Sequence, residues 1–164
     1  MTGGGKAKSE PREFELKLEF DPADLAAIES HPLLAGIRLN RQALISVYYD
    51  TETRALQKAR FALRVRKMDL GFVQTIKGDG PGELFDRPEW EQTIAGPHPD
   101  LSAIAGTPIE ALLKSDAGER LRPLFQTRIE RGLYHVESNG SEIEVAVDRG
   151  EIGTVERRSP VHEV

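Results

Sequence analysis

The sequence predicts a single β-rich domain of the α+β class, an antiparallel sheet with peripheral helices. Three observations predict it. Several stretches alternate charged and apolar residues with a period of two, as half-buried strands do, and Glu13 to Phe20 is the strictest of them. Turn signals separate these stretches: Asp69 to Gly71, the Gly78-Asp79-Gly80-Pro81-Gly82 run, and Asn139-Gly140. Finally, 164 residues give room for one ordinary domain, with no interior linker and no internal repeat.

The elements follow in order. Residues 1–11 are small, polar and glycine-rich, and read as a disordered leader ahead of a domain over 12–164. Gly3-Gly4-Gly5-Lys6 lacks the spacing of a phosphate loop and follows no strand. The first strand sets Phe14, Leu16, Leu18 and Phe20 against Glu13, Glu15, Lys17 and Glu19. Asp21 as N-cap and Pro22 at the first helical position then start a helix running to about Ala35. Further strands are predicted at 44–50, 61–68, 71–77 and 87–95, with a helical turn from Thr51 to Lys58. Two helical pieces, Leu101–Ala105 and Pro108–Lys114, are broken by Gly106. A long strand over 125–137 turns at Asn139-Gly140 into a strand over 141–148, and Pro160 to Val164 begins an eighth.

Composition excludes several functions. Lys and Arg number 22 and Asp and Glu 27, a net charge of −5, which argues against a duplex nucleic-acid binder. Without cysteine there is no disulfide, thiolate zinc site or cysteine nucleophile. No apolar run reaches transmembrane length and the N-terminus has no hydrophobic secretion segment. The expectation is therefore a soluble cytoplasmic protein without a membrane partner.

What carries chemistry is the distribution of charge. The charged phases of the stretches are Glu13, Glu15 and Lys17; Arg64 and Arg66; Lys77; Glu89 and Glu91; and Glu142, Glu144 and Asp148, so that beyond the first strand each is a block of one sign. On any one strand a solvated face explains such a pattern. Together, a sheet closed into a barrel with this face inward would oppose carboxylates and guanidinium groups in one lumen. That arrangement is costly unless the lumen stays wet or holds a charged ligand. It suits a polyanion accompanied by divalent cations, with Arg and Lys on phosphate oxygens and carboxylates on magnesium or manganese.

Glu13-x-Glu15-x-Lys17 resembles the ExExK signature of the CYTH domain, the triphosphate tunnel metalloenzyme superfamily. The likeness continues in order through Tyr48-Tyr49-Asp50-Thr51, Leu63-Arg64-Val65-Arg66, the Lys77 strand and Arg87-Pro88-Glu89-Trp90-Glu91. It goes on through Pro123-Leu124-Phe125 with Arg128 and Arg131, and then Ile143 to Glu151. In block details the sequence is most similar to bacterial inorganic triphosphatases whose CYTH domain precedes a helical CHAD domain.

The resemblance implies an eight-stranded antiparallel tunnel that hydrolyses inorganic triphosphate or polyphosphate with Mg2+ or Mn2+. Glu13, Glu15 and Glu163 would hold metal, and Glu89, Glu91, Glu144 and Asp148 would complete the acidic wall. Lys17, Arg64, Arg66, Lys77 and a residue among Arg128 and Arg131 would bind substrate, with Lys17 and Glu15 the catalytic candidates. Arg128 and Arg131 are three apart and share no strand face without a bulge, so one of the two is expected in the tunnel, and Arg131 is put ahead. The last strand supplies Glu163 and then the sequence stops, short of the family's second alternating glutamate, which implies a truncated closing strand.

Other residues carry less. The four histidines show no metal-ligand spacing. Trp90 and the phenylalanines are expected in the core, and Tyr48 and Tyr49 point to opposite faces, so that one of them could reach the lumen. Ser46, Ser102 and the other hydroxyls sit in no nucleophile context. The rival readings are a polyphosphate- or nucleotide-binding module without turnover, thiamine triphosphatase or class IV adenylate cyclase activity, and a barrel with its charges outward.

Overall fold

The computed structural model describes residues 16–68, 70–78, 88–115 and 120–164. The leader, Glu13, Glu15, Asp69, Arg87 and most of the glycine-rich link after Gly78 lie outside the described residues.

Seven strands form one antiparallel sheet: β1 (Asn40–Asp50), β2 (Phe61–Met68), β3 (Gly71–Gly78), β4 (Glu89–Ile94), β5 (Arg122–Ser138), β6 (Ser141–Gly153) and β7 (Arg158–Glu163). Their order is β4-β3-β2-β1-β5-β6-β7. Beyond β7, Leu18 and Val164 exchange backbone hydrogen bonds of 2.8 and 2.9 Å, and Glu19 bridges Glu163. The expected closed eight-stranded barrel is therefore seen as an open seven-stranded sheet among the described residues. Residues 18–20 add a bridge rather than a ladder, and the outer side of β4 meets no strand among those residues.

Turn chemistry sets the long β5–β6 hairpin. Asn139 and Gly140 take φ of 51° and 79°, both in the left-handed region that a two-residue hairpin demands, and Ser138 pairs with Ser141. The predicted helix after Pro22 is shorter than expected. A 3-10 turn (Pro22–Asp24), capped by Asp21, leads into α1 (Leu25–Glu29), and the chain then leaves the helix at His31-Pro32. Proline lacks the N–H and its ring disfavours helical geometry in the residue before it. The second helical region divides at Gly106, φ 78°, into a 3-10 turn (Leu101–Ile104) and α3 (Pro108–Ser115), as the sequence predicts.

The apolar side of the sheet carries two clusters. One joins Tyr49, Leu63, Val65, Ile76 and Ile94 to Leu56 of α2 (Ala55–Lys58), Ile104 and Ile109. The other joins Tyr134, Val136 and Val147 to Leu34, with Phe20, Leu25 and Ile28 packed against it. Enclosing a leucine or isoleucine in this way contributes roughly 1.5–3 kcal/mol each before entropy is counted. Leu16 and Leu18, expected on the apolar face of the first strand, remain 68% and 54% exposed; of that row, Phe20 is the described residue that packs.

Asp50 fixes α2 to this side. Its buried carboxylate accepts from the backbone N–H groups of Thr51, Leu56 and Gln57 at 2.7, 2.9 and 3.0 Å. Every described helix thus packs on one face of the sheet, which leaves the other face to the charged residues.

Candidate polyanion-binding face

Directly paired residues on neighbouring strands share a face. The register pairs Glu91 with Thr75, Thr75 with Arg64, Arg64 with Tyr48, and separately Lys77 with Glu89. It pairs Arg66 with Ser46 and Ser46 with Thr127. Further along, Gln42, Arg131, Asp148 and Glu163 follow one another across β1, β5, β6 and β7, and Glu163 then meets Glu19. All these residues lie on the face opposite the two apolar clusters. The structure thus brings together Arg64, Arg66, Lys77, Arg131, Glu89, Glu91, Asp148 and Glu163 on one side of the sheet.

Arg128 stands apart. It pairs with Ile45 and Glu151, on the helix-bearing side, because it is an odd number of residues from Arg131 along a regular strand. Glu144 is on the charged face but pairs with His135 near the hairpin turn. Four residues from Asp148, it lies about 13 Å from the arginine group. Glu13 and Glu15 are outside the described residues, and Lys17 at the sheet edge lies 4.0 Å from Glu163.

The charges are compensated unevenly. Arg131 grips Asp148 bidentately, Nε to Oδ1 at 2.8 Å and Nη2 to Oδ2 at 2.7 Å, the strongest geometry available to this pair. Lys77 lies 2.9 Å from Glu89, and Arg64 lies 3.8 and 3.6 Å from Glu89 and Glu91. Arg66 forms no ion pair among the described residues; its Nε donates to Ser46 Oγ at 3.0 Å. Burial lowers the Arg66 guanidinium pKa, and Arg64 and Arg131 add like-charge repulsion, while Tyr48 and Glu91 oppose the shift. Among the described residues the buried Nε of Arg64 meets no hydrogen-bond partner, an orphan donor of the costly kind. Among the described residues, positive charge without an ion-pair partner is thus concentrated at Arg66, where an anion would relieve the repulsion.

The acidic residues are of the right donor class for a hard divalent cation, which takes oxygen ligands. Asp148 and Glu163 face one another in register and Glu19 follows, so three carboxylates line successive chain segments. Among the described residues, however, no three acidic or histidine side chains converge on one point, and Asp148 is held by Arg131.

Aromatic residues complete the face. Tyr48 stacks on Phe125 with ring centroids 4.5 Å apart and planes at 19°, beside Arg64. Tyr49 points the other way, into the core, and donates to the Pro97 carbonyl at 3.1 Å. Phe125 is thus not a core residue, whereas Trp90 packs against the first cluster as expected. Ser46, which sits in no nucleophile context, and Thr75, which the sequence does not single out, are fully buried beneath the arginines. The signal that would have found them is a hydroxyl residue in the charged phase of a strand, and its use required the cross-strand register.

Comparison with known proteins places the chain. The family model described as the CYTH domain matches residues 11–162. The inorganic triphosphatase of Haemophilus influenzae is 34% identical over 160 residues, covering 93% of this chain and 44% of that protein. The chain therefore spans less than half the length of that relative. Among solved structures, HpAC1 from Hippeastrum, a candidate adenylyl cyclase with dominant triphosphatase activity, superposes with a TM-score of 0.61 at 16% identity. That match covers 90% of this chain and 75% of the other. A candidate adenylate cyclase from Bacillus halodurans superposes with a TM-score of 0.55 at 15% identity, over 93% of this chain and 79% of the other. At such identities the two structures share its fold.

Proposed function

This chain belongs to the CYTH domain family, and from that membership we propose that it hydrolyses inorganic triphosphate to pyrophosphate and phosphate. The observation that carries the reading is Arg66: half-buried, hydrogen-bonded to Ser46, repelled by Arg64 and Arg131, and without an ion pair among the described residues. A face built this way needs an anion with several oxygens, and a triphosphate supplies them. The 34% identity to an inorganic triphosphatase supports the choice of substrate within that class.

In this reading the face lines a tunnel. Arg64, Arg66, Lys77 and Arg131 hold the phosphate chain through charge-assisted hydrogen bonds, and Arg128, on the other side of the sheet, takes no part. Glu13, Glu15 and Glu163 would hold Mg2+ or Mn2+, with Glu89, Glu91, Glu144 and Asp148 along the wall. The ion when bound would neutralise phosphate oxygens and orient the attacking water. The arginines hold the substrate and stabilise the charge that develops on the departing pyrophosphate as water attacks the terminal phosphorus, without reorganising at the moment of reaction. Lys17 and Glu15 are the residues proposed to act on the water. Cytoplasmic location and a following CHAD domain belong to the same reading. No helix among the described residues is long and apolar enough to cross a membrane.

The test is phosphate release from tripolyphosphate with and without Mg2+ or Mn2+, in the wild type and in Glu15→Ala. Metal-dependent release lost in the variant is the expected result. No release, with thermal protection by tripolyphosphate retained, would make the domain a binding module.

A further inference from the structure

Two hydroxyl side chains on the charged face are too deep to touch a substrate, yet each meets an arginine. Ser46 is 1% exposed and Thr75 is 0% exposed. Ser46 Oγ accepts from Arg66 Nε at 3.0 Å, and Thr75 Oγ1 accepts from Arg64 Nη2 at 3.1 Å while donating to Glu91 Oε1 at 2.8 Å. Both pairs are direct cross-strand neighbours, Ser46 with Arg66 and Thr75 with Arg64.

The chemistry of the two contacts is directional. A guanidinium carries five N–H donors and can meet an oxyanion side-on, through Nε and one Nη, or end-on, through both Nη groups. With Nε taken by Ser46, Arg66 is left to bind end-on. Thr75 has one hydroxyl proton and gives it to Glu91, so its lone pairs are what Arg64 meets. The Thr75 contact orients Arg64 Nη2 and places Glu91 next to it, 3.6 Å from the same nitrogen. Neither guanidinium is fixed by a bidentate carboxylate as Arg131 is, so these hydroxyls set the direction of the two heads.

We propose that Ser46 and Thr75 are positioning residues which aim Arg66 and Arg64 at the phosphate oxygens, Ser46 by occupying Nε and so dictating end-on recognition. The proposal rests on the triphosphatase reading above. It ascribes to residues that never touch substrate part of the affinity carried by residues that do.

The test is a double-mutant cycle on tripolyphosphate hydrolysis with metal present. Ser46→Ala should lower kcat/KM about tenfold, the scale of a lost hydrogen bond to a charged group. In an Arg66→Ala background the same change should alter kcat/KM by less than about twofold, because the group through which Ser46 acts is gone. Thr75→Val, a near-isostere, should fall by a similar factor and Thr75→Ser should recover most of the activity. A general loss of stability would lower kcat/KM equally in both backgrounds, and that result would overturn the proposal, as would Ser46→Ala and Thr75→Val with wild-type kinetics beside an active wild type. If the wild type turns nothing over, the cycle is read on thermal protection by tripolyphosphate, with the same outcomes deciding. A wild type that neither hydrolyses nor binds tripolyphosphate overturns the reading and the proposal together.

Discussion

Replacing Arg66 with alanine should separate stability from binding. In the free protein the substitution removes a guanidinium whose charge is disfavoured by burial and by Arg64 and Arg131. What is lost is one hydrogen bond to Ser46, about 1.5 kcal/mol for a charged donor, which relief of that repulsion partly offsets, so the unfolding free energy of Arg66→Ala should stay within about 1 kcal/mol of wild type. Ligand protection should change far more. At a tripolyphosphate concentration 100 times Kd, the wild type gains about 2.7 kcal/mol, which for a domain of this size raises Tm by about 5–10 °C. Losing a pair of charge-assisted hydrogen bonds costs about 3 kcal/mol, or roughly two powers of ten in Kd. At the same ligand concentration the variant would then gain only about 0.4 kcal/mol, a shift of about 1–2 °C. Differential scanning fluorimetry with a tripolyphosphate titration measures both quantities. Arg66→Ala unstable by more than about 2 kcal/mol in the free state, yet protected by ligand as fully as wild type, would refute the reasoning.

Three further outcomes follow from other parts of the structure. Arg131→Ala leaves the Asp148 carboxylate, whose side chain is 12% exposed, without its bidentate partner. Because Arg131 itself is 26% exposed, the cost should be about 2–3 kcal/mol rather than the full value for a buried pair, and Asp148→Asn in the same chain should recover part of it in urea unfolding. Asp50→Ala strips three backbone N–H groups of their acceptor and should cost about 2–4 kcal/mol, more than Asp50→Asn, which keeps one oxygen; equal denaturation midpoints would contradict this account of α2. For pH, the Ser102 hydroxyl and backbone hold the Asp100 carboxyl below its usual 3.8, and Lys114 with the Gly106 N–H holds Glu110 below 4.5. Their stabilising contribution is present above those values and is lost as pH falls through the lower folded-state ones. NMR titration should therefore find both midpoints under the ordinary range, and a midpoint at or above it would disprove the contacts.

Much of this was legible in the sequence because strand periodicity sets which residues share a face. Arg64 and Arg66 are two apart, as are Glu89 and Glu91, and both pairs stand on the charged face. The same parity says that Arg128 and Arg131 do not share a face, though not which of them joins the other bases; the structure places Arg131 there and Arg128 across the sheet. Asn139-Gly140 fixed the hairpin through its φ requirement. What periodicity does not carry is which strands are neighbours. That Ser46 lies beside Arg66, that Phe125 stacks on Tyr48, and that Asp148 meets Arg131 are facts of cross-strand register, set by contacts between segments distant in the chain. The exposure of Leu16 and Leu18 was hidden for a related reason: alternation predicts a two-faced strand but not whether anything packs on its apolar side.

The division of the sheet into two faces explains how a small domain bears so much opposed charge. All the described helices lie on one side and most apolar burial is gathered in the two clusters there, while Leu44 and Leu133 are buried on the other face. The other side is free to be polar, and its cost is limited by pairing most bases with an acid: Arg131 with Asp148, Lys77 with Glu89, Arg64 near Glu89 and Glu91. Had every base been so paired, the face would be self-neutralised and an incoming polyanion would have to displace a carboxylate at each contact. Arg66 departs from that pattern, and a serine rather than an acid supports it. A hydroxyl orients the guanidinium without cancelling its charge, so the repulsion from Arg64 and Arg131 is kept until an anion arrives. An aspartate in place of Ser46 would test this directly: it should raise the stability of the free protein while abolishing protection by tripolyphosphate. Protection that survives Ser46→Asp would mean that the charge around Arg66 is not what receives the ligand.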